Sequence, residues 1–539
     1  MAQPAIAHGV TSPELLEETI DQNLKRTVAR WPDREAIVVR HQSVRWSYRE
    51  FDLQIDQVAK GLIALGIERG DRVALWSPNR IEWVLIQYAT ARIGAIMVCV
   101  NPAYRTVELK YVLQQSGARM IATAPQFKTS NYKAQIAEVH PELPDLEHTV
   151  IFGESSWDAM LKAGNAIEDK VVATRAASLS NTEAINIQYT SGTTGLPKGA
   201  TLTHRNILNN GFFVAEGCGY THEDRVCIPV PLYHCFGMVM GNIGSTTHGA
   251  CMVFPGESFE PRSVLETVAE ERCTSLYGVP TMFIAQMAQA DFDSFDLGSL
   301  RTGIMAGSIC PIEVMKQVIE RMHMDGVTIC YGMTETSPVS TQTAADDSLQ
   351  HRTSSVGRVH PHVEIRIANP ETNETVNRGE SGEFQTRGYS VMQGYWNDPE
   401  KTAAAIDEEG WMHTGDVAVM DEDGYIDITG RIKDLIIRGG ENISPREIED
   451  YLFTSKEVAD VQVVGVPDTK YGEEVCAFVR AADGEAPTEA SIREFCVGNI
   501  AHFKVPRYVV VVDEFPMTVT GKIQKYRLRE IAEEKFILG

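Results

Sequence analysis

Short apolar runs and longer amphipathic stretches alternate along the first two thirds of the chain. Apolar runs bounded by turn residues predict buried strands, and apolar residues at three- and four-residue spacing predict helices. A hairpin is predicted at 36–39 and 44–46, and Ser12 followed by Pro13 predicts the start of a first helix. The further predicted strands are 72–76, 95–100, 120–124, 251–254, 275–278, 302–306 and 327–331, and the further helices are 48–65, 81–93, 108–116, 205–216 and 236–247. Such alternation is typical of an α/β fold with largely parallel sheets, whose ligands bind at the carboxyl ends of strands.

The pattern changes after residue 356, where predicted strands follow one another with Gly and Asp turns between them. Strands at 364–368, 382–386, 417–420 and 425–428 predict a small β subdomain. The stretch 427–440 is the predicted domain boundary, because a new helix starts behind it with a capping box formed by Ser444 and Glu447. The remaining residues predict a compact α+β domain with strands at 458–466, 474–481 and 508–512 and a helix at 490–500.

Composition excludes several classes of protein. The 539 residues carry a net charge of −24, which disfavours binding to nucleic acid or to an anionic membrane. No apolar stretch is long enough to span a membrane, since residues 83–100 are broken by Gln87 and Arg92. The first twenty residues resemble neither a secretory signal nor a transit peptide, and ten scattered cysteines without a C-x-x-C pair fit a reducing compartment. We therefore expect a cytoplasmic protein, with a homodimer left open.

The stretch T-S-G-T-T-G-L-P-K-G predicts a loop that binds phosphate. Glycines let backbone N–H groups converge on an anion, hydroxyls add donors, and Lys198 adds a positive charge. It is not a Walker-type loop, because Gly199 stands where that motif needs a Ser or Thr. A flexible surface loop is the alternative, but Pro197 and the strand-like run at 200–203 favour the phosphate loop. Its predicted members are Thr190, Ser191, Gly192, Thr193, Thr194, Gly195, Leu196, Pro197 and Lys198.

This decapeptide resembles the phosphate-binding signature of the adenylate-forming superfamily, which includes acyl-CoA synthetases, adenylation domains and beetle luciferases. The resemblance extends over nearly the whole chain and is greatest to medium-chain fatty acyl-CoA synthetases. It implies a large N-terminal domain of stacked α/β sheets with a small β subdomain (1–430), a hinge (431–435) and a small mobile α+β domain (436–539). It also implies ATP, Mg²⁺ and coenzyme A, with a carboxylic acid as the fourth small molecule.

The hexapeptide at 331–336, Y-G-M-T-E-T, resembles the magnesium motif of that superfamily. Gly332 permits close backbone approach, and Tyr331 offers a ring face to a purine. Glu335 is a hard oxygen ligand suited to Mg²⁺, and Thr334 can donate to the α-phosphate. A turn with a solvated glutamate is the alternative reading of Thr-Glu alone.

A second group of nucleotide and CoA contacts is expected beyond residue 410. Asp416, in W-M-H-T-G-D, can accept both ribose hydroxyls. The resemblance implies that Arg431 holds the ribose or α-phosphate side and that Lys433 is the hinge residue. It further implies that the stretch with Arg438, Gly439 and Gly440 lines the pantetheine tunnel.

Lys522, in T-G-K near the end of the chain, matches the catalytic lysine of the superfamily. A lysine on a loop is usually a solvated charge, so this role depends on the resemblance. The small domain would deliver Lys522 to the acid and the α-phosphate during adenylation, and would then remove it by rotating about Lys433.

His234 and a set of apolar residues are the expected surroundings of the acyl group. His234 matches a gate position between acyl pocket and CoA tunnel, although a histidine in an apolar run more often serves packing. The expected pocket contains no basic residue, which disfavours a dicarboxylate or an amino acid. Its members are Phe236, Met240, Val279, Met305, Ala306, Gly307 and Met333.

The sequence thus predicts an ATP-dependent acyl-CoA synthetase that releases AMP and pyrophosphate. One alternative is an acyl-adenylating enzyme that passes the acyl group to a carrier protein. A non-catalytic ATP-binding protein is another, which Glu335 and Lys522 disfavour. A P-loop phosphotransferase would release ADP, and the missing hydroxyl after Lys198 argues against it.

Overall fold

The computed structural model describes residues 3–190, 197–308, 310–439, 441–482, 484–518 and 523–538, with backbone alone for 442 and 538. Contacts between Cα atoms divide the chain into two compact units. The large unit comprises Ala7–Ile365 and Thr386–Met412, and the small unit comprises Met1–Ile6, Arg366–Gln385 and His413–Gly539. The predicted limits of the domains, at 430 and 436, stay a prediction.

One sheet of the large unit has seven strands within the described residues. Its five strands from Ala184–Thr190 to His148–Ile151 are parallel, and Lys198–Thr203 runs antiparallel to both of its neighbours. The order is Gly394–Tyr395, Lys198–Thr203, Ala184–Thr190, Ile96–Cys99, Arg72–Trp76, Ala118–Thr123 and His148–Ile151.

A second sheet of the large unit has nine strands in the described part of the chain. It is parallel from Gly326–Gly332 to Glu35–Val39 and antiparallel at both edges. The order is Arg358–Val359, Val339–Gln342, Gly326–Gly332, Thr302–Ala306, Ser275–Gly278, Arg225–Cys227, Cys251–Phe254, Glu35–Val39 and Val44–Ser47. The carboxyl ends of its parallel central strands therefore lie side by side, along one edge of the sheet.

Helices cover these two sheets. Ile81–Ile93 is buried at every position except Glu82, as expected for a helix that is apolar nearly all round and lies inside the core. Phe236–Ile243 is a π-helix that continues as the α-helix Gly244–His248. The other α-helices are Ile20–Arg30, Tyr48–Ala64, Thr106–Ser116, Tyr132–Val139, Ser155–Gly164, Asp169–Ala177, His204–Gly217, Pro261–Glu271, Pro280–Met287, Ile312–Met322, Leu349–Ser354 and Pro399–Ala405. Short 3₁₀ turns lie at Arg40–Gln42, His140–Glu142, Phe292–Ser294 and Thr334–Thr336.

Two smaller sheets complete the fold. One has the order Ile6–His8, Val363–Ala368, Ser381–Gly388, Met412–Met420 and Ile426–Arg431. The other has the order Glu441–Ile443, Ile436–Arg438, Gly472–Ala481 and Val458–Asp468, with Tyr508–Val511 parallel to Gly472–Ala481. The helices of this C-terminal part are Pro445–Leu452, Glu489–Cys496 and Lys525–Glu533, with a 3₁₀ turn at Ile432–Asp434 and a π turn at Glu534–Leu538.

The predicted α/β fold class is confirmed, and so are most of the predicted elements. One predicted helix start is wrong, and one predicted capping box does not form. The first helix begins at Ile20, where Thr19 and Gln22 form the capping box, so residues 12–18 are not helical. Ser444 does precede a helix, but its Oγ donates to the carbonyl of Thr429 and makes no capping bond. Among the described residues, none of the helices combines the length and the apolar character that crossing a bilayer requires.

Candidate active site

The predicted phosphate loop joins the paired ends of two antiparallel strands. Thr190 lies opposite Lys198 in the register of this hairpin. Pro197 is fixed from outside, since the hydroxyl of Tyr111 donates to its carbonyl at 3.2 Å. The ammonium group of Lys198 lies 5.0 Å from the ring centroid of Tyr395, a cation–π distance. The six predicted members from Ser191 to Leu196 lie outside the described residues.

Glu335 lies beside the first residue of this loop. Its side chain is only 5% exposed, and it follows the strand Gly326–Gly332 on a 3₁₀ turn that also contains Thr334. Two hydroxyls donate to Oε1 of Glu335: that of Thr190 at 3.2 Å and that of Tyr395 at 2.9 Å. Thr190, Lys198, Glu335 and Tyr395 thus form one polar group, which we call the loop-base cluster.

Tyr395 is the functional candidate that the sequence analysis missed. Burial, reinforced by the charge of Glu335, raises the pKa of Tyr395 well above its ordinary value, so the phenol stays protonated and donates. The edge strand Gly394–Tyr395 pairs with Lys198–Thr203, and the N–H of Trp396 donates to the carbonyl of Gly199 at 2.7 Å. A glycine followed by two aromatic residues was the available signal, but its partner Glu335 is 60 positions away.

The neighbouring strand ends bring the other predicted residues of the large unit to one edge. Gly278 pairs with Met305, and Ala306 pairs with Cys330, so Val279, Gly307 and Tyr331 follow at matching heights. Gly307 has φ +91°, a left-handed conformation that favours glycine. Gly332 ends its strand directly before the turn with Glu335. This is the edge at which parallel α/β sheets bind ligands.

Most of the predicted lining of the acyl pocket lies in one apolar cluster. Phe236 and Met240 lie on the π-helix and are nearly fully buried, and the Phe236 ring stacks on Tyr277 with centroids 5.4 Å apart. Val279 and Ala306 are buried in the same core, and Met333 packs against it. The expectation that Met305 joins this lining is wrong: its side chain belongs to a different apolar cluster from its strand neighbours Ile304 and Ala306.

His234 is half-buried just before the π-helix. Its Nδ1 accepts the N–H of Phe236 at 3.2 Å, and the carbonyl of His234 accepts the N–H of Gly237 and of Met238. The histidine therefore helps to start the π-helix, which fits a residue that shapes the site.

Asp416 of the small unit is held by an arginine. Its side chain is buried, and Nε of Arg431, directly opposite in the strand register, donates to Oδ1 at 2.8 Å. Gly415 has φ +69°, and its N–H donates to Glu383 at 3.0 Å, so the turn before Asp416 is fixed as well. The structure therefore brings Asp416 and Arg431 together.

Lys433 and Arg438 have different surroundings in the small unit. Burial, together with the charge of Arg431, lowers the pKa of Lys433. Arg438 makes two bonds to the buried carboxylate of Glu474, at 2.7 and 3.0 Å, and stacks over the Tyr471 ring. Gly439 has φ +60° and donates its N–H to the carbonyl of Tyr471. Gly440 and Lys522 lie outside the described residues.

The loop-base cluster suits a divalent cation. Glu335 is buried and accepts both hydroxyl bonds at Oε1, and a carboxylate is a hard oxygen ligand suited to Mg²⁺. No three His, Cys, Asp or Glu side chains among the described residues form a metal-binding group.

A parallel α/β fold with such a loop, a buried acid at its base and a separate small C-terminal unit defines an enzyme of the adenylate-forming class. Comparison with known proteins agrees: the model of the AMP-binding enzyme family matches residues 24–396, and that of the AMP-binding enzyme C-terminal domain matches residues 447–522. The chain belongs to the AMP-binding enzyme family.

Relatives of known name extend over almost the whole chain. YngI of Bacillus subtilis, which bears the provisional name of an acyl-CoA synthetase, is 48% identical over 98% of this chain and 99% of its own. Human ACSF2, named a mitochondrial medium-chain acyl-CoA ligase, is 43% identical over 97% of this chain and 89% of its own. The solved structure of the anthranilate CoA ligase AuaEII with anthranoyl-AMP is 28% identical, covers 97% of this chain and 98% of its own, and has a TM-score of 0.87.

Proposed function

We propose that this protein is an ATP-dependent acyl-CoA synthetase that activates a medium-chain fatty acid through an acyl-adenylate. The observation that carries the proposal is the loop-base cluster, in which Glu335 is anchored by Thr190 and Tyr395 beside Lys198. The names of YngI and ACSF2 and the acyl-AMP bound to AuaEII support the same chemistry.

The proposed roles in the large unit follow from charge and position. The loop from Thr190 to Lys198 binds the triphosphate, and Tyr331, Gly332 and Gly307 border the adenine. Glu335 holds Mg²⁺, which screens phosphate charge when bound, and both hydroxyl bonds to Oε1 fix the carboxylate for that task. Thr334, on the same turn, donates to the α-phosphate.

The small unit is proposed to bind the ribose of ATP and to let the pantetheine chain of CoA enter. Asp416, held by Arg431, accepts the ribose hydroxyls. Lys433 lies in the hinge, and Gly439 and Gly440 let the thin pantetheine chain pass. Arg438 serves this passage by bonding Glu474, which fixes the backbone before Gly439. Lys522 stabilises the charge that develops during adenylation.

The proposed reaction has two steps. A carboxylate oxygen attacks the α-phosphorus of ATP, the bond from that phosphorus to the bridging oxygen breaks, and pyrophosphate leaves with the electron pair. The CoA thiol then loses its proton to solvent and attacks the acyl carbon, the C–O bond of the mixed anhydride breaks, and AMP leaves with its electron pair. Activation is needed because a free carboxylate is a poor electrophile, and its mixed anhydride with AMP carries a good leaving group.

The proposed acid is unbranched and of medium length. The lining by Phe236, Met240, Val279 and Ala306 is apolar and contains flexible methionine. The second carboxylate of a dicarboxylic acid would be buried there without a cation, which would cost roughly several kcal/mol. The name of ACSF2 points to the same chain length. A cytoplasmic location stays a prediction.

The first test incubates the protein with ATP, Mg²⁺, CoA and a series of acids from butanoate to tetradecanoate, with malonate as the dicarboxylate control. We expect AMP, pyrophosphate and thioester, with the highest kcat/KM near octanoate and none with malonate. AMP without thioester would favour transfer to a carrier protein, and ADP would indicate a phosphotransferase. Absence of all three products would leave only nucleotide binding.

The second test separates the two half-reactions with Lys522→Ala. Pyrophosphate release should collapse by about a thousandfold, as for the loss of a group that stabilises transition-state charge. Thioester formation from supplied octanoyl-AMP should persist. Lys456→Ala, which removes an exposed lysine of the same unit, is the matched control and should leave both rates unchanged. Equal loss in both half-reactions would refute the role of Lys522.

A further inference from the structure

The helix that contains Phe236 and Met240, two residues of the predicted acyl pocket, has an unusual hydrogen-bond register. Phe236–Ile243 is a π-helix of eight residues, all of them buried. At its end the N–H of Gly244 donates to the carbonyl of Val239, five residues back. π-Helices mostly occur as single turns and often at functional sites, so one of this length needs support from its surroundings.

Glycine permits the close packing around this helix. A Cβ on Gly237 would lie 2.5 Å from the carbonyl oxygen of Pro231. A Cβ on Gly211, in the adjacent helix, would lie 2.9 Å from the Ile243 side chain. Neither position accepts a larger residue without a shift, so close packing fixes the position of the helix. Its hydrogen-bond register depends on other contacts.

Side chains from two other elements bond the carbonyls of the π-helix. The side-chain amide of Gln87 donates to the carbonyl of Met238 at 3.1 Å, and the hydroxyl of Tyr277 donates to that of Met240 at 3.1 Å. Gln87 also accepts the side-chain amide of Asn242 at 2.6 Å. Gln87 therefore holds two sites that are four residues apart on one helix, and Tyr277 holds a third between them.

Both donors are buried, and the hydroxyl of Tyr277 stays protonated. Gln87 is 4% exposed and Tyr277 fully buried. Burial raises the pKa of Tyr277 well above its ordinary value, and its hydroxyl accepts the hydroxyl of Tyr220 at 3.0 Å. A buried chain of hydrogen bonds thus ends on the Met240 carbonyl. Inside a protein such bonds are costly to leave unmade.

The register of this helix decides which side chains meet the acyl group. Successive residues of an α-helix are about 100° apart around the axis, so a change from five-residue to four-residue bonding turns later side chains away by a large angle. Tyr277 contacts both lining residues of this helix. Its ring stacks on Phe236, and its hydroxyl donates to the carbonyl of Met240.

We propose that Gln87 and Tyr277 are positioning residues that hold Phe236–Ile243 in its π register, and that this register sets the acyl chain length accepted. The selectivity part rests on the proposed function, because it needs an acyl substrate. The register part does not, since it concerns backbone hydrogen bonds alone. Neither side chain touches the reacting atoms.

The experiment uses Tyr277→Phe and Gln87→Met in the full chain. Tyr132→Phe is the matched control, because it also removes a buried hydroxyl that donates to a backbone carbonyl, that of Pro102 at 2.6 Å, in another part of the chain. Two readouts are taken: kcat/KM for butanoate, octanoate and tetradecanoate, and amide hydrogen exchange in peptides covering residues 236–248.

We expect faster exchange at 236–248 in both variants, and a change of about tenfold in the kcat/KM ratio between chain lengths, the effect of one buried hydrogen bond. The KM for ATP should not change, and Tyr132→Phe should show neither effect. Unchanged exchange would overturn the register part. Faster exchange with an unchanged chain-length ratio would overturn the selectivity part. A wild-type protein that forms no AMP with any acid would refute the proposed function and the selectivity part, while exchange would still decide on the register.

Discussion

Glu335 owes its position to two hydroxyls that are distant in the sequence. Hydrogen bonds to a charged group contribute about 1.5–3 kcal/mol, and every 1.4 kcal/mol is about tenfold in binding. Tyr395→Phe removes one of these donors and keeps the ring beneath Lys198. We expect pyrophosphate release to fall by about tenfold or more and to need a higher Mg²⁺ concentration, as measured by titrating Mg²⁺ at fixed ATP.

The control for this variant is Tyr132→Phe. Its hydroxyl is buried and donates to the carbonyl of Pro102 at 2.6 Å, far from Glu335 in the sequence. Both variants lose one buried phenol hydroxyl, so a similar loss of thermal stability is expected in both. A Mg²⁺ dependence that shifts equally in the two variants would mean that Tyr395 does not act through Glu335.

Two buried histidines make stability depend on pH. Burial lowers the pKa of His204 and of His360 from 6.5 to about 3. Between these values the unfolded chain binds a proton at each histidine that the folded chain does not bind, so stability falls as pH falls below 6.5. The slope is about 1.4 kcal/mol per pH unit for each group.

Conservative variants isolate this effect. His360→Gln keeps a donor for Gln342, and His204→Asn keeps an acceptor for the N–H of Ile20. From pH 7 to pH 5, each variant should lose about 2 kcal/mol less free energy of unfolding than the wild type, as measured by urea titration. His140→Gln, at an exposed position, should keep the wild-type slope. An unchanged slope in both buried variants would contradict the assignment.

At the scale of elements, one arginine joins the first three helices of the large unit. Arg92 is 1% exposed and donates at 2.6 Å to each of three aspartates: Asp21, Asp52 and Asp56. Arg92→Met would leave the buried carboxylate of Asp21 without its cation, while Asp52 and Asp56 would keep Lys25. Breaking a buried ion pair costs about 3–5 kcal/mol, and we expect a loss of that size in the free energy of unfolding.

Arg26→Met provides the comparison. Arg26 lies in the first of these helices, but its side chain is 56% exposed in its pair with Glu18 at 2.9 Å. Exposed pairs contribute below about 1 kcal/mol, so this variant should unfold almost like the wild type. If both variants lost the same stability in urea titrations, burial of the Arg92 cluster would not be its source.

Elements with strong local signals could be predicted from the sequence. The strands Arg72–Trp76, Cys251–Phe254 and Thr302–Ala306 have their predicted bounds, because continuous apolar runs between turn residues need no distant partner. Helix starts were harder: Ser12 with Pro13 predicted the first one, whereas the capping box that forms is that of Thr19 with Gln22. The π register at Phe236–Ile243 depends on Gln87 and Tyr277, so periodicity predicted a helix there but not its hydrogen bonds.

The candidate site was predicted as far as its motifs are contiguous. Thr190, Lys198 and Glu335 lie in two motifs that local chemistry explains, and the structure brings them together. Tyr395 was missed because an aromatic residue on an edge strand has no local mark of function. Met305 was expected in the acyl pocket but packs in another cluster, because the face of a strand residue follows from register, which one sequence does not give.

At the scale of the whole molecule, the C-terminal part has a core of its own. Its sheet alternates apolar residues between two clusters, one with Val461 and Val463 and the other with Val464 and Val466. Both faces are therefore covered within residues 436–539, a length typical of an independent domain. The small unit defined by contacts between Cα atoms is larger, because it also includes 366–385 and 413–435. The two limits make different predictions.

We expect the fragment 436–539 to fold alone, because the bonds it loses are few: that of Ser444 to the Thr429 carbonyl and those of Arg446 to the Ile428 carbonyl and, at 2.8 Å, to Asp427. Water can replace the acceptors that are lost with 427–431, so each lost bond should cost about 1 kcal/mol. Cooperative urea unfolding of 436–539, with a midpoint near that of 413–539, would support a boundary at 431–435. If only the longer fragment unfolds cooperatively, the strands at 412–431 belong to the same folding unit. The hinge would then have to lie before residue 413, which would also remove the role proposed for Lys433.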